Sequence, residues 1–213
     1  MSKVKNIFAH FFEQSWLLLL CSFIFGLLIA LANTAWSPRI RANEKAKLDT
    51  LMAGLISNAK EYEIVISQME IINESGTITK TDIYKAEDDS GKTIGFAFVG
   101  TGAGFSGEIK LVIAVDSSCE KIFGYNVLQC TDSVGFGDRI DSKKDKFFAS
   151  QFVGAPAGRF ELLRAGSAEN IDSQIVAISG ATISSTAVVD IFNTYINTVK
   201  DKLKEKGFIS DGK

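Results

Sequence analysis

Between Trp16 and Trp36 the chain runs 21 residues without a charge, WLLLLCSFIFGLLIALANTAW. As a helix rising about 1.5 Å per residue, this stretch covers about 30 Å, the hydrocarbon thickness of a bilayer. Eleven of its side chains are Leu, Ile or Phe, each favouring insertion by about 0.3–0.6 kcal/mol at the helix centre. The two tryptophans stand at its ends, where indoles prefer the headgroup level. The segment reads as a retained transmembrane helix over residues 16–36, preceded by a short N-terminus at 1–15. A competing reading is a signal peptide cleaved near Ala32-Asn33-Thr34-Ala35, although a signal h-region is usually only about 7–15 residues long. Lys3 and Lys5 precede the span, and Arg39, Arg41, Lys45 and Lys47 follow it. By charge counting alone the C-terminal part would be cytoplasmic, a rule that weakens when a long domain follows the helix.

The length of 213 residues allows one well-packed domain besides this appendage. A net charge of −2 provides no broad positive field for phosphate backbones, which argues against a nucleic-acid partner. The single histidine, His10, and three cysteines, Cys21, Cys119 and Cys130, are too few to build a zinc or iron–sulfur site, so no metal is expected. The absence of CxxC and CxxCH motifs removes thioredoxin-like redox chemistry and c-type haem attachment.

Residues 37–60 read as a helical stalk, since Ile40, Leu48, Leu51, Met52, Leu55 and Ile56 recur at helical spacing among charges. An ordinary first helix of the domain fits the same pattern. Beyond it, Glu61–Met69, Thr93–Val99, Glu108–Asp116 and Lys121–Gln129 are β-branched and aromatic runs bounded by turn residues. The last two flank a short polar connection and read as an antiparallel hairpin. A short helix is expected over Asp141–Phe152, and two further strands over Arg159–Arg164 and Gln174–Ile178. Cys119 at the hairpin turn and Cys130 at the far end of its second strand are too far apart for a disulfide, which needs Cα atoms within about 7 Å.

The chemistry concentrates at QIVAI-SGATISS-TAVVDIFNTYINTVKDKLKEK, residues 174–206. An apolar strand ends, Gly180 permits a tight turn, and a helix follows with Val188, Phe192, Tyr195, Val199 and Leu203 on one face. Ser179, Thr182, Ser184 and Ser185 then stand at a positive helix N-terminus, where free amides and the macrodipole favour an anion, most often a phosphate. Simple capping by Ser and Thr is the alternative. GxxxxGK[ST] is absent, so this is not a nucleotide-hydrolysing loop.

Ser179-Gly180-Ala181-Thr182, continued by Ile183-Ser184-Ser185, resembles the flavinylation motif of FMN-binding domains. Such domains occur in the G component of the Rnf electron-transport complex and in the C component of the sodium-pumping NADH:quinone reductase. Gly104-Phe105-Ser106-Gly107-Glu108-Ile109 resembles the family's G-Y-G-G-x-I stretch, and Asp132 to Ile140 resembles its E-T-P-G-L-G-D-K-I stretch. Three positions differ from the family pattern: Val176 stands for the usual Asp six residues before the threonine, Val134 for Pro, and Cys130 for His.

The resemblance implies an α+β protein: one N-terminal transmembrane helix, then a mostly antiparallel-sheet FMN-binding domain with flanking helices over residues 61–213. It implies FMN joined covalently to Thr182 by a phosphoester, with Ser179, Gly180, Ala181 and Ser184 at the phosphate end. Asp132, Gly135, Phe136 and Gly137 would approach the isoalloxazine ring. The chain would be an electron-carrying subunit without catalytic residues of its own, not an enzyme alone. Its partners would be the other membrane proteins of an Rnf-type complex, membrane lipid, and a flavin transferase for maturation. It would sit in the bacterial inner membrane as a single-pass protein, with the C-terminal domain on the periplasmic or extracellular side. The alternatives are the C component of the reductase, an anchored scaffold of the same fold without covalent flavin, and a hydrolase using Ser179 or Thr182. The hydrolase lacks a base, because His10 precedes the membrane segment.

Overall fold

A computed structural model describes residues 2–72, 76–166 and 171–209; Met1 and the segments 73–75, 167–170 and 210–213 lie outside the described residues. The chain divides into two compact units, Met1–Ala46 and Lys47–Lys213. The described residues of the first unit belong to helix α1 (Ser2–Leu55). From Ser15 onward this helix is long and apolar enough to cross a membrane, and its apolar stretch is exposed. It continues through Pro38, which has no N–H to donate to the preceding turn. Next to this gap Thr34 Oγ1 donates to the Ala30 carbonyl at 2.9 Å, and Ser37 Oγ to Asn33 at 2.6 Å.

In the second unit, β1 (Glu61–Ile72), β2 (Ile78–Glu87), β3 (Thr93–Ala103), β4 (Glu108–Asp116) and β5 (Ile122–Cys130) form an antiparallel meander in chain order. The hairpin expected from the sequence is β4–β5. Strand β2 is an addition to the expected set. Only Thr81, Ile83 and Ala86 of its ten residues are buried, so it shows no apolar run.

Side chains alternate across a strand, and the two sets join different clusters. Phe96, Phe98, Leu111, Ile113 and Val115 join the main core with Val188, Phe192, Tyr195, Val199 and Leu203 of helix α3 (Thr182–Glu205). Ala86, Ala97, Val112 and Ala114 form a second, shallower cluster with Leu51, Met52 and Ile56 around the end of α1. Asn126 Nδ2 donates to the Leu51 carbonyl at 3.0 Å there, satisfying one of the acceptors that every helix end leaves open.

An aromatic group of Tyr125, Phe148, Phe152, Phe160 and Phe192 fills the region below α3, with ring centroids 4.4–5.7 Å apart. The Tyr125 hydroxyl donates to the Ile140 carbonyl at 2.6 Å and so holds a 3-10 turn, Gly137–Ile140, against this group. The helix expected over Asp141–Phe152 is shorter, α2 (Lys146–Ser150). The carboxylate of Asp141 accepts from the Lys143 amide, and that of Asp145 from the Phe147 amide, so the stretch begins as turns and the helix starts only after Asp145. The last two expected strands are β6 (Glu161–Leu163) and β7 (Gln174–Val176), a parallel pair apart from the main sheet.

Helix α3 lies so near β3 that a Cβ at Gly100 would stand 2.4 Å from Ile191 Cγ2, and one at Gly102 2.6 Å from Ile191 Cγ1. Gly100→Ala should lower stability by about 1–3 kcal/mol through overpacking against a stiff β-branched side chain. Gly158→Ala, where nothing lies within 4 Å, should stay within about 0.5 kcal/mol of the parent. Chemical denaturation midpoints of the two variants compare these directly.

Candidate functional site

The site forms where α3 begins. After β7 the chain turns at Gly180, whose φ of +81° lies in the left-handed region that favours glycine. The Ala181 amide closes the turn on the Ile178 carbonyl at 3.0 Å, and Ala181 serves as N-cap without any side-chain capping bond. The amides of Thr182, Ile183 and Ser184 therefore stand at a helix end with no acceptor from the helix itself.

Simple capping does not account for the hydroxyls crowded there. Ser184 Oγ donates to Asp132 Oδ2 at 2.6 Å. Ser185 Oγ donates to the Ala181 carbonyl at 3.0 Å and accepts from the Ile178 amide at 3.1 Å. Thr186 Oγ1 donates back to the Thr182 carbonyl at 2.9 Å. Thr182 is exposed, and its hydroxyl has no hydrogen-bond partner among the described residues.

A cavity of about 440 Å³ opens over this helix start, within the range of about 300–1,000 Å³ usual for small-molecule sites. Gly180, Ala181, Thr182, Ile183 and Ser184 line it from the α3 side; Asp132, Ser133, Phe136 and Gly137 line it from the loop after β5. Phe105, from the β3–β4 connection, completes the lining. Three sequence motifs thus meet at one cavity. Of the site residues expected from sequence, Ser179 and Gly135 are not in the lining. The Ser179 carbonyl instead accepts from Arg139 Nη1 at 3.2 Å, while Arg139 Nη2 pairs with Asp145 at 2.7 Å. Gly135, at φ +83°, donates its amide to Asp138 Oδ1 at 2.7 Å and shapes the turn that presents Phe136. Phe105, Ser133, Ile183 and Arg139 were not singled out from sequence. An aromatic between the small residues of a turn was the available signal for Phe105.

Two aromatic side chains give the lining an apolar face towards solvent. Phe105 is 66% exposed and Phe136 60% exposed, and the Phe136 ring stands 3.6 Å from where a Gly180 Cβ would lie. Phe136 is therefore a wall residue of the cavity rather than part of the core. Val176, at the position of the family's usual Asp, is buried in β7. Gln151 holds both its backbone groups: Oε1 accepts from the Val176 amide at 2.7 Å, and Nε2 donates to its carbonyl at 3.1 Å. The Cys130 thiol is half-buried, and burial pushes its pKa up. Burial raises that of Cys119 to about 12.

Asp132 is only 6% exposed. Burial pushes its carboxyl up, but hydrogen bonds from Ser184 and from the amides of Ser106, Phe105 and Gly107 outweigh burial and hold it below the ordinary value of 3.8. A carboxyl whose pKa is lower in the folded state adds stability above its unfolded pKa and loses it as pH falls towards the folded one. Wild type should accordingly lose stability as pH drops below about 4. Asp132→Asn, less stable at neutral pH, should show a flatter acid limb. Urea midpoints measured from pH 7 down to 3 read both slopes.

Residues 104–197 match the FMN-binding domain family, a span that contains all three cavity segments. The chain is 28% identical to the G component of the ion-translocating oxidoreductase complex of Methanosarcina acetivorans over 172 residues, 81% of this chain and 85% of that protein. It is 34% identical over 103 residues to the protein of the same name from Buchnera aphidicola subsp. Baizongia pistaciae, covering 48% of this chain and 47% of that one. The crystal structure of Shewanella oneidensis NqrC superposes with a TM-score of 0.54 at 22% identity, covering 70% of this chain and 73% of the other. Residues 104–197 are thus similar in sequence to FMN-binding domains, and the globular unit shares its fold with NqrC.

Proposed function

We propose that the chain is the membrane-anchored flavoprotein of an ion-translocating oxidoreductase complex, with FMN in the cavity at the start of α3 joined to Thr182 Oγ1 by a phosphoester. The observation that carries this reading is the Thr182 hydroxyl, exposed and without a hydrogen-bond partner among the described residues, beside the uncapped amides of α3. The donor set fits FMN at both ends. Open amides and the helix dipole suit a phosphate, and Phe105 and Phe136 offer flat apolar faces to a planar ring. Bound FMN supplies one-electron redox chemistry.

The chain's own residues bind and orient. The first turn of α3 would hold the phosphate, Gly180 leaves the approach to it open, and Phe105 and Phe136 would pack against the ring. No base or nucleophile is needed for a relay. The apolar span of α1 anchors the protein in lipid, and the two relatives, each named as one component of a complex, point to further membrane proteins as partners. A flavin transferase would form the ester, and the domain would lie on the periplasmic or extracellular side.

Coexpressed with its transferase, the wild-type chain should carry one FMN as a discrete increment in intact mass, and Thr182→Ala should lose it while staying folded. Thr182 is neither the cap nor buried, so the substitution should alter stability by no more than about 0.5 kcal/mol. Retention of the increment in Thr182→Ala, or its absence from wild type, would overturn the assignment. For sidedness, alkaline phosphatase fused after Lys213 should be active; an inactive fusion alongside an active cytoplasmic reporter would reverse the topology.

A further inference from the structure

Resting on that reading of the cavity, we infer that Asp132 is a positioning residue: its carboxylate ties the 104–107 turn to the first turn of α3 and so fixes Phe105 and Thr182 on either side of the cofactor.

Aspartate is rarely this buried unless paired, and among the described residues no ion pair to Asp132 is formed. Its partners are donors from two other segments. Oδ1 accepts from the Ser106 amide at 2.7 Å, and Oδ2 from Ser184 Oγ at 2.6 Å. The neighbouring glycines leave room for this one group. A Cβ at Gly104 would lie 2.8 Å from each carboxylate oxygen; one at Gly137 would lie 2.4 Å from Asp132 Cβ and 2.6 Å from Ser184 Oγ.

The consequence reaches the cavity through neighbours. The 104–107 turn is closed by the Gly104 amide on the Gly107 carbonyl at 2.7 Å. Phe105 is largely exposed, so it owes its place to the anchored turn rather than to core packing. On the other side Ser184 sits in the same helical turn as Thr182. The Ser106 amide can only donate, whereas the Ser184 hydroxyl can donate or accept. Asparagine matches the shape and can keep its oxygen on the Ser106 N–H while its amide nitrogen donates to Ser184 Oγ. Both charge-assisted bonds then become neutral and roughly half as strong. Shape alone therefore keeps the link only in weakened form.

The test uses the full chain in detergent, as wild type, Asp132→Asn and Ser184→Ala. Amide hydrogen exchange is followed in Thr182→Ala backgrounds without flavin, and visible circular dichroism in flavin-loaded chains. Asp132→Asn should speed exchange about tenfold or more around 104–107 and 182–185 while leaving β2 and β3 protected. It should also change the circular dichroism of the bound flavin. Unchanged exchange in either segment, or unchanged dichroism with looser segments, would overturn the inference. If Asp132→Asn loses protection throughout, Ser184→Ala decides: it removes one arm of the link and should loosen 182–185 and shift the dichroism, and no change in either would overturn the inference. A wild type without flavin would defeat the cofactor reading, while exchange would still report whether the carboxylate joins the two segments.

Discussion

Because Gly100 and Gly102 put no Cβ beneath Ile191, α3 rests directly on β3, and the direction of its first turn is set by the sheet rather than by loops. Its apolar face, from Val188 to Leu203, is buried in the main core along with the sheet's large side chains. The opposite end is closed by Gly207 at φ +75°, with the Phe208 amide bonded to the Leu203 carbonyl and the Gly207 amide to Lys204. That arrangement is a glycine C-terminal cap. A helix fixed along its length and capped at its C-terminus presents a rigid N-terminus. That rigidity is what a site built on backbone amides needs, since amides have no side-chain freedom with which to adjust.

The electrostatics at that N-terminus are less simple than one anion at one dipole. The helix end carries the equivalent of about half a positive charge, and the Asp132 carboxylate already stands near it through Ser184. A second anion would feel repulsion from an unscreened aspartate. Here the aspartate's oxygens are engaged by donors, notably Ser106 on one side and Ser184 on the other. The amides of Thr182 and Ile183 remain open to the cavity. The helix start thus combines an internal carboxylate already engaged by donors with outer amides for which the helix itself supplies no acceptor.

Much of this was legible in the sequence because it depends on periodicity and on glycine placement. The uncharged span, the β4–β5 hairpin, the buried face of α3 and the turn at Gly180 each leave a local trace. Strand β2 leaves none, since Thr81, Ile83 and Ala86 are interleaved with charged residues and its burial comes from neighbours on both sides. The helix expected near residue 150 shortened because Asp141 and Asp145 offer carboxylates to nearby amides, competing with a helical continuation. The roles of Asp132 and Gly137 were illegible for a different reason. Gly137 suggests exposed backbone when read alone, yet its missing Cβ accommodates Asp132 and Ser184. Only the meeting of distant segments reveals that.

Val176 shows how a departure from a family pattern can fit its surroundings. Its side chain is buried, and Gly166 lies alongside, with a Cβ there 3.5 Å from Val176 Cγ2. Both of its backbone groups are taken by Gln151, itself buried. An acid at this position would need a donor or a cation to compensate for its burial, since an unpaired charge is costly in such a setting. Gln151 cannot serve while its amide is bonded to the backbone. Valine therefore agrees with the local packing of β7, and the segment that leads into Gly180 and Thr182 is held by backbone bonds to Gln151 rather than by a carboxylate. The turn before α3 has its own fastening in Arg139, which bridges the Ser179 carbonyl and Asp145. The position of Thr182 thus depends on the strand, the turn and the helix together, and none of these requires an acid at residue 176.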